Sequence, residues 1–322
     1  MTRRYSIAPM MEWTDRHYRN FARVLSKHAF LYTEMVTTGA LLHGDQDRFL
    51  KYEEAEHPIA LQLGGSNPSD LAKCAKLAED WGYDEVNLNV GCPSDRVQEG
   101  KIGACLMAEP DLVAEGVRAM NESSKLPITV KTRLGLDDNE NYQDLQHFVK
   151  TISEAGSQLV ILHARNAWLK GLSPKQNRNI PPIKYDWVYN IKKDFPHLWI
   201  ELNGGLTTPE ASALHLDHID SIMVGRRAYE DPWSITQVDP LYHNTKYSVS
   251  SRSEALEKYT PYVISELEKG TALKSMTRHL LGLFNGIRGA KPWRQNISSI
   301  RTSDLSSWQQ LIQLANEIER KL

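Results

Sequence analysis

Eight short segments rich in apolar and β-branched residues recur along roughly the first 230 positions, most of them separated by stretches with helical periodicity. They are SIAPM (6–10), FLYTEM (30–35), PIALQLG (58–64), EVNLNVG (85–91), PITVKTRLG (127–135), QLVILHAR (158–165), WIELNGG (199–205) and SIMVGRR (221–227). In SNPSDLAKCAKLAEDWG, apolar residues fall at Leu71, Cys74, Ala75, Ala78 and Trp81. That is a 3.6-residue spacing, with Asn67 and Pro68 placed to start a helix and Gly82 to stop it. Near-continuous apolar strands joined by helices pair in parallel, because both faces of such a sheet are covered. Eight units of this kind predict an α/β fold, a (β/α)8 TIM barrel. A doubly wound sheet is the alternative. It usually carries a glycine-rich dinucleotide loop after its first strand, and APMMEWTDR has no glycine.

From about residue 240 the strand pattern stops. SRSEALEKYTPYVISELEKG, ALKSMTRHLLGLFNGI and DLSSWQQLIQLANEIERKL all read as amphipathic helices. The expected organisation is a barrel over 1–238 and a small all-helical domain over 239–322. Charge divides along the same line. Residues 1–239 hold 26 Lys and Arg against 33 Asp and Glu, whereas residues 240–322 hold 12 against 7. The stretch 269–301 has seven basic residues and no acid, which points to a polyanionic partner. No apolar run approaches the length of a membrane span, and the start MTRRYSIAPMMEW lacks the apolar core of a secretory leader. A cytoplasmic location is expected. The three cysteines (74, 92 and 105) have no metal-ligand spacing and are too few for a disulfide framework, so no metal is expected.

Chemistry in such barrels sits at the C-terminal ends of the strands. Those ends are polar here: Gln62, Asn89, Cys92, Lys131, Arg133, His163, Arg165, Asn203 and Arg226. Taken singly, each is as easily a satisfied core group or a salt-bridge partner. Converging on one rim, they read as a site. NGGL before Thr207-Thr208-Pro209, and VGRR, supply glycines that let backbone N–H groups approach an anion, together with a helix start and a cation. The pair reads as a phosphate cup. Flavin mononucleotide (FMN) suits it, with its ring across the barrel mouth facing Lys131 and His163, and with Gln62 bonding its pyrimidine edge. A cation beside the N1/C2-carbonyl edge would stabilise the anionic reduced flavin.

Cys74 falls in the apolar stripe of a helix, and Cys105 lies in IGACLM; both read as buried packing groups. Cys92 stands between Gly91 and Pro93 on a rim loop, where a thiol is able to face a ligand. A thiol titrating near 8.5 is a usable proton donor around neutral pH.

APMMEWTD, LNVGCPSDRV, VKTRLG, HAR, NGG and VGRR together resemble the tRNA-dihydrouridine synthases, over nearly the whole chain. The segment GLSPKQNRNIPPIKYDW and the stretch through GACLM resemble the A-type bacterial branch, which reduces uridines 20 and 20a of the tRNA D-loop. The resemblance implies that NADPH reduces bound FMN, that hydride passes to uracil C6, and that Cys92 protonates C5. It implies flavin contacts at Pro9, Met10, Met11, Gln62, Lys131, His163, Asn203, Gly204, Gly205, Gly225 and Arg226. It implies a uridine contact at Asn89 and tRNA contacts at Lys175, Arg178, Lys291 and Arg294. No motif marks a nicotinamide site, and none points to an obligate protein partner. The residues support the RNA reading independently. A stacked uracil must be pulled out to reach a barrel floor, so binding energy must come from elsewhere on the RNA. The loop 164–184, with five Lys and Arg and no acid, and GAKPWRQN are suited to grip phosphates. Three rivals stand beside this reading: a flavin barrel reducing a small enone or pyrimidine, an aldolase using Lys131 as a Schiff base, and a non-catalytic RNA-binding barrel.

Overall fold

The computed structural model describes residues 3–139, 141–301 and 304–322. Those residues form eight strands: β1 (Tyr5–Ile7), β2 (Leu31–Thr37), β3 (Ile59–Gly64), β4 (Glu85–Val90), β5 (Ile128–Thr132), β6 (Leu159–His163), β7 (Trp199–Asn203) and β8 (Ser221–Val224). They pair in parallel in the order β1-β8-β7-β6-β5-β4-β3-β2. Phe30 closes the remaining seam. Its N–H donates to the Tyr5 carbonyl at 3.0 Å, and its carbonyl accepts from the Ile7 N–H at 2.9 Å. The sheet is the expected closed barrel, with helices outside.

The strands are not apolar on both faces. β4 reads Glu-Val-Asn-Leu-Asn-Val, and a strand sends alternate side chains to opposite faces. Val86, Leu88 and Val90 point outward into the main core, together with Leu71 and Cys74 of the Pro68–Asp80 helix and Val113 and Val117 of the Pro110–Ser123 helix. Each fully buried Val or Leu in that layer contributes about 1.5–3 kcal/mol. Glu85, Asn87 and Asn89 point into the barrel and hydrogen-bond to inward residues of β3 and β5. A smaller apolar layer of Ala8, Tyr32, Ala60, Leu159, Ile161 and Met223 fills the middle of the interior. Below it Arg3 pairs with Glu85 and Glu201, and Ser6 donates to Glu201 at 2.6 Å.

The Pro68–Asp80 helix starts as expected. The Asn67 side chain accepts from the Asp70 N–H, and Pro68 occupies the first turn. Helices Arg252–Glu268 and Leu305–Glu319 also follow the sequence reading. The stretch 272–287 does not. It breaks into a Leu273–Thr277 turn of helix, a 3₁₀ turn at Arg278–Leu280, and a series of turns. Gly282 packs there against the backbone of Glu230, where a Cβ would collide with the carbonyl group, so the chain stays close to the barrel rim. Cys74 is buried as expected, whereas Cys105 is only partly buried, in a 3₁₀ turn.

The C-terminal helices dock on the Arg16–Leu25 helix. Arg16 pairs with Glu266 at 2.6 Å, Tyr259 Oη donates to the His17 carbonyl at 2.8 Å, and Arg278 pairs with Asp15 at 2.6 Å. Asp15 also caps the helix, accepting from the N–H groups of His17 and Tyr18. Burial alone would raise its carboxyl. Hydrogen bonds from His279, the Tyr18 N–H and Arg278 hold it well below the usual carboxylate range. Asp15 therefore contributes stability at neutral pH that is lost as pH falls through the acid range. Asp15→Ala should lower stability at pH 7 by about 2 kcal/mol in urea unfolding, with a smaller difference at about pH 2. An equal loss at both values would contradict this role.

Candidate active site

A cavity of about 770 Å³ opens at the C-terminal ends of the strands, within the range of roughly 300–1,000 Å³ usual for small-molecule sites. The candidate residues Pro9, Met10, Met11, Gln62, Asn89, Cys92, Lys131, His163, Arg178, Asn203, Gly204, Gly205, Gly225 and Arg226 all line it. Lys175, Lys291 and Arg294 do not. Lys175 is exposed on the loop after β6. Lys291 and Arg294 are exposed on the Ala290–Ser299 helix, three residues apart and so on one face.

Cys92 is held by its backbone. The Asn89 side-chain oxygen accepts from the N–H groups of Gly91 at 3.1 Å and Cys92 at 3.0 Å. The Cys92 carbonyl accepts from the Ala104 N–H at 2.9 Å. Gly103 makes that approach possible: its φ is +75°, and a Cβ there would lie 2.5 Å from the Cys92 oxygen. Arg133 Nε donates to the Gly91 carbonyl at 3.2 Å. The thiol is partly exposed, with Sγ 3.6 Å from Ser94 Oγ.

Lys131 Nζ donates to Asn203 Oδ1 at 3.1 Å. Burial, reinforced by the Arg133 guanidinium, pushes its ammonium down to about 7. Burial and the same cations push His163 well below its ordinary value, so the imidazole is neutral at pH 7. Burial lowers Arg133 to about 10. Its guanidinium bonds backbone carbonyls of Gly91, Asn166 and Asn177 rather than a carboxylate. Arg165 and Arg226 likewise donate to carbonyls and to the Asn179 amide oxygen. Burial and then mutual repulsion with Arg226 lower both Arg165 and Arg178. Beside this cluster, Gly204 and Gly205 turn in the left-handed region, at φ +99° and +72°. The Pro209–Ala213 helix beyond them is only five residues long, so the arginines and the loop carry this corner. Arg133, Arg165, Arg178 and Arg226 have no carboxylate partner among the described residues, and such a cluster next to a glycine turn fits a phosphate-tailed cofactor.

Trp13, within APMMEWTD but not singled out there, and Met35 and Met223, which no sequence motif marks, also line the cavity. Met35 reaches it through a bulge. Tyr32 and Met35 pair with Ala60 and Gln62, so β2 spends one more residue than β3 over the same rise. Among the described residues no group of three or more His, Cys, Asp or Glu side chains is placed to hold a metal ion, and no helix is long and apolar enough to cross a membrane.

The sequence matches the family model described as Dihydrouridine synthase (Dus) over residues 6–319. It is 56% identical to the tRNA-dihydrouridine(20/20a) synthase of Shewanella oneidensis over 92% of this chain and 89% of that protein. It is 53% identical to the protein of the same name from Synechocystis sp. over 98% and 94%. Among solved structures, morphinone reductase superposes with a TM-score of 0.53 at 13% identity, over 78% of this chain and 88% of its own. That likeness concerns the fold.

The unfolded chain holds the Lys131 proton up to about pH 10, whereas the folded ligand-free protein releases it near 7. In that window the unfolded state binds more protons, so this group makes stability rise with pH. The melting temperature of ligand-free Lys131→Met should therefore rise less between pH 7 and pH 9 than that of the unaltered protein. Identical slopes would show that the ammonium is not enclosed.

Proposed function

The chain belongs to the dihydrouridine synthase family, and from that premise we propose that it reduces D-loop uridines of tRNA, at positions 20 and 20a, to 5,6-dihydrouridine, with FMN bound and NADPH as reductant. The observation that carries this reading is that Cys92 opens onto the same cavity as Lys131, Arg178, Arg226 and the glycine turn. When bound there, FMN supplies to uracil C6 a hydride that originates from NADPH.

The chain's own residues do the rest. Arg226, with the turn at Gly204 and Gly205, holds the phosphate tail by charge-assisted bonds. Pro9, Met10, Met11 and Gly225 also line the mouth. Lys131 offers a cation to the electron-rich ring and takes up a proton when a negative charge faces it. His163, neutral and buried, and Asn203 line the floor beside it. Gln62 and Asn89 spend one amide N–H each on the barrel interior and retain the other for ligand acceptors. Cys92 delivers its proton to C5 as hydride arrives at C6, and solvent restores it. A positioned acid of this kind contributes about 10²- to 10⁴-fold.

The uridine reaches the thiol only when drawn out of its stack, at a cost of a few kcal/mol. Lys175 and Arg178 on the long loop, and Lys291 and Arg294 on the helical region, supply the phosphate contacts that offset it. The names of the relatives and the basic, outward helix face support this assignment. An aldolase built on Lys131 has its lowered ammonium in favour, but the family and the arginine cluster support the flavin reading instead.

Cys92→Ala should keep its flavin and its tRNA affinity while losing turnover on tRNA by about 10²- to 10⁴-fold. Full turnover in that variant would refute the acid. Replacing Lys291 and Arg294 together by glutamate should weaken tRNA binding at least about tenfold and flatten its salt dependence, by roughly one in the log–log slope for each phosphate no longer neutralised. NADPH oxidation in air should persist. Unchanged tRNA affinity would remove the helix from the docking surface.

A further inference from the structure

We infer that a one-way chain of hydrogen bonds through the barrel interior sets the position of the Cys92 thiol, and that Thr129 and Asn87 are positioning residues for the proton transfer. The inference rests on the reading of Cys92 as the proton donor.

The chain has five links. Thr129 Oγ1 donates to Glu85 Oε1 at 2.7 Å. Asn87 Nδ2 donates to Thr129 Oγ1 at 2.8 Å. Gln62 Nε2 donates to Asn87 Oδ1 at 2.8 Å. Asn89 Nδ2 donates to Gln62 Oε1 at 2.9 Å. Asn89 Oδ1 then accepts from the N–H groups of Gly91 and Cys92. Thr129 and Asn87 are fully buried, at 0% exposure.

The direction of this chain is fixed by chemistry at both ends. A backbone N–H only donates, so Asn89 must turn its oxygen to Gly91 and Cys92 and its NH2 to Gln62. At the other end a carboxylate only accepts. Glu85 is paired with Arg3 and also accepts from Tyr32 Oη at 2.8 Å. It therefore accepts the hydrogen bond donated by the Thr129 hydroxyl, which leaves the Thr129 oxygen to accept from Asn87. The two ends demand the same orientation of all three amides, so none is frustrated. A buried amide with one settled orientation stays in place, and a chain of them polarises in a common sense. The Cys92 loop thus takes its register from an ion pair at the opposite end of the barrel.

The test uses the flavin-loaded enzyme with two variants of Thr129. Thr129→Val keeps the shape and removes the hydroxyl, which strands the Asn87 amide and cuts the chain from Glu85. Thr129→Ser keeps the hydroxyl. Thr129→Val should lower kcat on tRNA about tenfold, the scale of one broken buried hydrogen bond, with KM for tRNA and flavin content unchanged. It should also change the rate at which iodoacetamide alkylates Cys92, followed peptide by peptide so that Cys105 is counted separately. Thr129→Ser should restore both. Wild-type kcat in Thr129→Val overturns the inference, and so does equal loss in both variants, which would mean packing alone. Cys92→Ala, run in parallel, separates the two readings. If that variant reduces uridine at the unaltered rate, the proton-donor reading fails, and the alkylation rates alone decide whether the chain positions the thiol.

Discussion

Two hydrogen bonds accepted by one amide oxygen, from the Gly91 and Cys92 N–H groups to Asn89, hold the sulfur at the barrel mouth. The strand could not end this way if β4 were apolar on both faces. Its alternation sends valine and leucine out to the helices and Glu85, Asn87 and Asn89 inward. Buried polar groups of that kind are costly unless each is partnered. Here each one is, and the partners lead from the Arg3–Glu85 pair up to the rim. The outward layer supplies the apolar burial that stabilises the fold, and the inward column supplies the orientation that the site needs.

Charge is sorted by place. Around the cavity Arg133 and Arg226 bond to carbonyls and an amide oxygen, so their charge is left for a ligand, whereas Arg227 pairs with Asp231. Burial weakens the hold of Lys131 on its proton, which makes that residue responsive to what binds beside it. In the helical region the basic run divides. Lys269 pairs with Glu53 and, within its own helix end, with Glu266, and Arg278 pairs with Asp15, so these two fasten the helical region to the barrel. Lys274, Arg288, Lys291, Arg294 and Arg301 remain exposed and suit phosphate contacts.

Much of this was legible in the sequence because barrel strands announce themselves twice, by apolar spacing and by polar residues at their ends. Gln62, Lys131, His163 and Asn203 could be placed on one rim from those ends alone, and the structure brings them to one cavity. Met35 was not legible. Strict alternation from Tyr32 gives the inward position to Glu34, and only the bulge in β2 reassigns it. The polar column inside β4 was hidden for a related reason: Asn87 and Thr129 lie mid-strand, away from the rim where chemistry is sought. The long helix expected over 272–287 failed because a close approach between Gly282 and the Glu230 backbone, invisible to periodicity, bends the chain. The grip of Arg133 on three carbonyls depends on loops distant in sequence, so no local pattern foretells it.

The central claim is that one cavity joins a hydride source to a thiol across a uracil ring. The most direct measurement is mass mapping of an unmodified tRNA transcript after incubation with the flavin-loaded enzyme and NADPH. The account predicts a gain of two hydrogen masses on a uridine of the D-loop. A transcript left unchanged by enzyme that holds flavin and consumes NADPH would contradict it.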